Sequence, residues 1–63
     1  MTKEQIEKAE ERLAKMGIEK NVVIEMDEDD YKGWASKFLK AQKTEAAVIA
    51  VSSMIAVMNG WRA

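Results

Sequence analysis

The segment from Ala46 to Met58 constrains this chain most, because its thirteen residues, AAVIAVSSMIAVM, carry no charge and only two hydroxyl groups. When such a run is helical it is apolar nearly all the way round, and helices of that kind are buried. The whole chain has 63 residues, which leaves little protein to cover this helix. We therefore expect a single domain, residues 1–63, that associates with a partner, in the first place with a second copy of itself.

A helical wheel divides this segment into two apolar sides. Bulky side chains on one side are expected to hold the chain's other helices: Val48, Val51, Met54, Ile55, Met58 and Trp61. A membrane span is the alternative explanation, but a helix of this length reaches only about 20 Å, whereas the hydrocarbon core is about 30 Å thick. The opposite side, which is rich in small residues, is predicted to form the oligomer interface: Ala46, Ile49, Ala50, Ser53, Ala56 and Val57.

The first part of the chain predicts a helix followed by a short strand. Thr2 and Gln5 have the spacing of a capping box, and Gly17 suits a left-handed C-terminal cap, so the helix should cover about residues 3–16. Three consecutive β-branched residues predict a short strand over residues 22–26, with an extended connector as the alternative. A lone strand leaves its backbone groups unpaired, so this strand would pair with its counterpart in a second chain.

Two further helices are predicted in the second half. Apolar residues at positions i, i+3, i+4, i+7 and i+8 between Tyr31 and Leu39 predict a helix over about residues 30–43. Thr44 as N-cap and Gly60 as C-cap would bound a third helix over about residues 45–59. The predicted fold is therefore mostly α-helical, with three helices and a short strand, assembled as an oligomer through the C-terminal helix.

The residue types argue against enzymatic chemistry. The chain has no histidine and no cysteine, so thiol nucleophiles, disulfides and the common zinc sites are excluded. The acidic run at residues 25–30 does not form a calcium loop, because Lys32 stands where that loop needs glycine; acids at a helix N-terminus explain it better. We predict a protein that is not an enzyme and has no cofactor or metal. Its charged N-terminus does not resemble a secretory signal, so we expect a cytoplasmic location.

The net charge of −1 hides a difference between the two halves of the chain. Residues 1–30 carry ten acids and five bases, whereas residues 31–63 carry one acid and five bases. Each half is therefore expected to present its own charged face to the other half or to a partner. Aromatic residues at helical spacing are most often core, and lysines opposite them are most often solvated. The residues that could instead contact a partner or ligand are Tyr31, Trp34, Lys37, Lys40 and Trp61.

From the predicted strand onward, the order of strand, amphipathic helix, capped turn and buried helix resembles the ribbon-helix-helix family of dimeric DNA-binding regulators. Lys43-Thr44-Glu45 lies near the usual start of that family's second helix. The resemblance implies that paired strands enter the major groove, but Val23 and Glu25 stand where the family usually has basic or amide side chains. The usual glycine between the helices is also missing. An acidic ribbon repels phosphate, so nucleic acid is a disfavoured partner.

Three functions stay open on the sequence alone. The preferred one is a small non-enzymatic regulator or inhibitor that binds another protein as a homo-oligomer, of the kind encoded by phages, plasmids and compact bacterial operons. The second is a dimeric ribbon-helix-helix-like DNA-binding regulator. The third is an oligomer that sequesters a small ligand in a pocket between subunits. The first is preferred because of the chain's size and its lack of catalytic motifs.

Overall fold

In the computed structural model, which describes residues 1–63, the chain forms four α-helices and no strand. The helices are α1 (Lys3–Lys15), α2 (Lys20–Glu25), α3 (Glu28–Lys40) and α4 (Glu45–Arg62). The last helix lies at the centre, and each of the other three packs against it. The prediction of a mostly helical fold is confirmed, whereas the predicted number of three helices is wrong.

The ends of α1 follow from local hydrogen bonds. The Thr2 hydroxyl accepts a bond from the Gln5 backbone N–H at 3.2 Å, and the Gln5 side-chain oxygen accepts one from the Thr2 backbone N–H at 2.8 Å. Gly17 has a φ of 72°, in the left-handed region that favours glycine. The predicted capping box and left-handed glycine are therefore confirmed, and the helix ends at Lys15, one residue earlier than predicted.

The strand predicted over residues 22–26 is wrong, because Lys20–Glu25 form the short helix α2. A lone strand would leave its backbone N–H and C=O groups without partners, whereas a helix pairs many of them internally. The helix also buries Val23, which is only 2% exposed, while its neighbours Val22 and Ile24 remain largely accessible. Tertiary burial therefore outweighs the β-propensity of these residues. The resemblance to the ribbon-helix-helix family therefore lacks the strand that is the first element of that layout.

The third helix begins and ends earlier than the predicted range of 30–43. Its N-cap is Asp27, whose carboxylate accepts a hydrogen bond from the Asp29 backbone N–H at 3.0 Å, as expected for acids at a helix N-terminus. At the other end, the Gln42 side-chain amide donates to the Phe38 carbonyl oxygen at 3.0 Å. This bond satisfies one of the carbonyl groups that the last turn leaves without a helical partner. The helix ends at Lys40.

The last helix is longer than predicted. Thr44 is extended, with φ −119° and ψ 153°, and its hydroxyl accepts a bond from the Ala47 backbone N–H at 3.1 Å, which confirms the predicted N-cap. The predicted end at residue 59 with Gly60 as cap is wrong, because the helix continues through Gly60 to Arg62. The additional residues carry the Arg62 side chain to the end of α2, where it has hydrogen-bond partners.

The interior is apolar and has contributions from all four helices. Ile55 and Trp61 of α4 are half-buried at its edge, as predicted for its bulky side. Val48 is 37% exposed and lies outside the core, so its predicted role in holding the other helices is wrong. None of the helices combines the length and the apolar character that a membrane crossing needs. The buried residues are Ala9, Leu13, Val23, Tyr31, Ala35, Val51, Met54 and Met58.

Candidate functional site

The outer face of α4, defined here by Val48, Ile49, Ser52, Ala56 and Gly60, is open to solvent. No residue from Ala46 to Trp61 carries a charge. Ile49 is 61% exposed near the N-terminal end of this face, and its other members are exposed as well. The outer face is therefore an uncharged helix surface that the chain's own helices do not cover.

The six residues predicted as the oligomer interface divide between this outer face and the boundary with α1. Four of them border a shallow groove of about 160 Å³ whose other side is formed by α1, including Lys8 and Arg12. The Ser53 hydroxyl donates to the Ile49 carbonyl oxygen at 3.1 Å, so it is satisfied within α4. Part of the predicted interface therefore lies beside α1. Ala46, Ile49 and Ala56 are exposed, whereas Ala50, Ser53 and Val57 are half-buried.

Arg62 joins three elements at the opposite end of α4. Its Nη1 atom donates to the carbonyl oxygens of Val23 at 2.6 Å and Met26 at 2.9 Å. Its Cζ atom lies 4.5 Å from the centre of the Tyr31 ring, within the range of a cation–π contact. Arg62 therefore closes the C-terminal end of α2 and covers the ring of α3 that lies beneath it.

Tyr31 is the polar member of the core. It is 5% exposed, and its hydroxyl donates to the Asn59 side-chain oxygen at 2.6 Å. Burial raises the pKa of the Tyr31 phenol above its ordinary value, and the positive charge of Arg62 opposes part of that shift. The phenol therefore stays protonated at neutral pH and acts as a hydrogen-bond donor. Tyr31 and Asn59 link α3 to α4, and the burial of Tyr31 agrees with the core role that the sequence favoured over a partner contact.

A polar groove of about 590 Å³ runs between α3 and α4 beside Tyr31. Its charged groups already have partners within the chain: Lys32 lies 3.1 Å from the Glu28 carboxylate, and Arg62 is engaged as described above. The groove therefore offers no unpaired charged side chain to a ligand.

A more apolar cleft of about 360 Å³ lies between the turn after α1, the helix α2 and the helix α3. Trp34 forms one wall and stacks on Phe38, with ring centres 5.5 Å apart and planes inclined by 22°. The sequence prediction missed the contribution of α2 because it treated that segment as a strand. The spacing of four residues between Ile18, Val22 and Met26 was the helical signal that could have found it. The lining residues of this apolar cleft are Gly17, Ile18, Glu19, Val22, Val23, Met26 and Trp34.

The structure does not bring the predicted partner contacts into one site. Trp34 lines the apolar cleft, whereas Lys37 and Lys40 are exposed on α3. Trp61 is half-buried and packs against the core from the last turn of α4. Exposed apolar groups occur at the apolar cleft and on the outer face of α4, and also singly at Met1, Ile6 and Ile24.

No family model matches the chain, and neither curated proteins nor solved structures give a significant match. No three acidic side chains converge in a way that could hold a metal ion. The geometry of the two apolar surfaces is therefore the basis for a functional proposal.

Proposed function

We propose that this protein is a small non-enzymatic regulator or inhibitor that binds another protein and assembles with itself through the outer face of α4. The observation that carries the proposal is the exposure of Ile49, 61%, on a face whose α4 residues carry no charge. Apolar side chains that project from an uncharged, contiguous surface are typical of protein interfaces. Burial in an oligomer would remove this surface from water.

A second copy of the chain fits this face better than a charged partner does. The α4 residues of this face carry no charge, Lys8 and Arg12 of α1 border it beside Ile49, and two identical faces can meet around a two-fold axis. In an antiparallel pair of α4 helices, Ile49 of one copy would pack over the small residues near Ala56 and Gly60 of the other. Small residues at intervals of four allow such helices to approach closely.

Gly60 adds support for a close approach. It lies inside α4, where glycine costs about 1 kcal/mol relative to alanine. A Cβ atom at Gly60 would meet no atom within 4 Å, so the chain's own packing does not require glycine there. A helix of a second copy can therefore approach the α4 backbone closely at this position.

The regulatory role is supported by the charges that assembly through α4 leaves accessible. Glu19, Asp30, Lys37 and Lys40 are exposed and form no ion pair within the chain. Unpaired surface charges accelerate and orient the encounter with a complementary protein. A small protein of this kind would act by occupying a surface of its target.

Light scattering tests the assembly. We expect the wild type to form a dimer or larger oligomer and Ile49→Lys to be monomeric with an unchanged helical circular dichroism spectrum, because a buried unpaired charge opposes the contact. Ile24→Lys is the matched control, since Ile24 is 46% exposed on α2 and lies outside this face. A monomeric wild type, or an Ile49→Lys variant that stays assembled, would refute the proposed interface.

A further inference from the structure

The apolar cleft is shaped to receive a bulky side chain. Its base is formed by Val23, which is 2% exposed, together with half-buried Met26 and Trp34. Its rim carries Val22, which is 53% exposed, and Met16, which precedes the lining residue Gly17 in the sequence, is 52% exposed. Concave apolar sites of this kind are where the anchoring side chains of a partner are buried.

The one charged residue that lines the cleft, Glu19, is acidic. Residues 17–34 carry six acids and two bases, and one acid and one base of these, Glu28 and Lys32, pair with each other. Glu19 lines the cleft itself, and Asp30 lies one turn before Trp34 on the same side of α3. Neither acid forms an ion pair within the chain. A partner that fills the cleft is therefore complementary when it carries positive charge.

We infer that the apolar cleft binds a basic amphipathic helix of a partner protein, which inserts bulky apolar side chains and places lysine or arginine beside Glu19 and Asp30. This inference rests on the proposed protein-binding function and specifies the chemistry of the partner. A volume of about 360 Å³ accommodates one or two bulky side chains, which a helix presents at positions i and i+4.

Other occupants lack one of the two complementary features. Nucleic acids and anionic membranes carry the same sign of charge as the rim, so they are repelled. A second copy of the chain could offer Lys37 and Lys40, but the bulky apolar side chains of α3 are turned towards its own core. Its exposed Ile49 would be buried in the self-assembly proposed above, so it would not be available to enter the cleft. A basic amphipathic helix supplies both the apolar group and the positive charge.

Two synthetic helical peptides test this inference. Both have leucines on one side of the helix; one has lysines at the remaining positions and the other has glutamates. The chain has two tryptophans, so the Trp61→Phe variant leaves Trp34 as the fluorescent reporter of the cleft. We expect the lysine peptide to change Trp34 emission saturably and the glutamate peptide to have no effect. Absence of saturable binding by the lysine peptide, or equal binding of both, would overturn the inference.

A pair of substitutions on α2 separates binding in the cleft from general attraction of charge. Val22→Lys and Ile24→Lys add the same charge at exposed positions of one helix, but only Val22 lines the cleft. We expect affinity for the lysine peptide to fall about tenfold more in Val22→Lys than in Ile24→Lys. An equal loss in both variants would show attraction of charge alone and refute the cleft as the site.

A further variant covers the case in which Val22→Lys disturbs folding. The combined change Glu19→Gln and Asp30→Asn alters charge while it preserves the size of both side chains, and we expect it to weaken the lysine peptide severalfold. Unchanged affinity would contradict the proposed role of the acids. Light scattering keeps this test separate from the self-assembly: a monomer that binds the peptide refutes the oligomer alone, whereas an oligomer that does not bind refutes the cleft alone.

Discussion

The Nη1 atom of Arg62 lies 2.6 Å from the carbonyl oxygen of Val23, and this hydrogen bond joins residues that are 39 positions apart. The helix that it closes, α2, has six residues, and its N-cap residue Glu19 makes no side-chain capping bond. A helix this short is unstable in isolation, because nucleation costs more than so few hydrogen bonds recover. The structure of α2 therefore depends on α4, which supplies both apolar contacts and the guanidinium.

Replacement of Arg62 by Met should destabilise the protein by about 2 kcal/mol, because two charge-assisted hydrogen bonds are lost and the carbonyl of Val23 loses a partner. Hydrogen exchange should show that protection of the α2 amides falls first. Lys40→Met is the control, since Lys40 is exposed and forms no ion pair. If both substitutions change the free energy of unfolding equally, the Arg62 bonds do not hold α2.

Stability should fall at high pH through Tyr31. Burial raises the pKa of this phenol in the folded state, so the unfolded chain loses the phenol proton first, at a pH of about 10. The contribution of Tyr31 to the free energy of unfolding is therefore fully present below that pH, and it is lost as the pH rises through the pKa of the folded state. Because Tyr31 is the one tyrosine, ultraviolet absorbance of tyrosinate follows it directly. A titration midpoint equal to that of free tyrosine would contradict this prediction.

Tyr31→Phe gives a second measurement on the same residue. The variant loses the hydrogen bond to Asn59 and should be less stable by about 1 kcal/mol at neutral pH, as judged by urea denaturation. Its stability should also fall less than that of the wild type above pH of about 10. If both proteins lose stability equally at high pH, the loss does not arise from ionisation of Tyr31.

Two neighbouring valines provide a matched test of α2. Val23→Ala should lower the free energy of unfolding by about 2 kcal/mol, because its side chain is 2% exposed and leaves a cavity. Val22→Ala should leave stability unchanged or raise it by up to about 0.5 kcal/mol, since alanine favours a helix and Val22 is 53% exposed. A clear loss of stability in Val22→Ala would instead favour a strand at this position.

Two glycines should respond to alanine with opposite signs. Gly17 has a φ of 72°, so Gly17→Ala should destabilise the protein by about 1 kcal/mol. Gly33 lies inside α3, and a Cβ atom there would meet nothing within 4 Å. Gly33→Ala should therefore stabilise the protein by up to about 1 kcal/mol. Thermal denaturation measures both changes, and a loss in Gly33→Ala would indicate that a contact made by a partner requires this glycine.

Some of the fold could be predicted because its causes are local. The N-caps Thr2 and Thr44 each bond a backbone N–H three residues later, and the left-handed turn at Gly17 requires only glycine itself. The amphipathic spacing of the aromatic residues located α3 in the same way. Signals that act over two to four residues are visible in a sequence without knowledge of the fold.

Other features depend on distant residues and could not be predicted in this way. The segment of Val22, Val23 and Ile24 has β-propensity. It is helical because Val23 is buried in the core and because Arg62 donates hydrogen bonds to carbonyl oxygens at its C-terminal end. The apolar cleft requires α2 and α3 to meet, so the sequence prediction of a strand could not contain it. Of the cleft, only Trp34 was identified from the sequence, whereas Ile49 and Ala56 of the outer face were both predicted.

The composition of the run from Ala46 to Met58 indicated that this segment forms the helix against which the others pack, because no charged group is present to keep all of it at the surface. Only the tertiary structure decided which of its sides is covered. Val51, Met54 and Met58 are buried beneath the other helices, whereas Val48 and Ile49 remain exposed. In a helix that is apolar on every side, the sequence contains little contrast between faces, so the packing of α1, α2 and α3 determines the orientation.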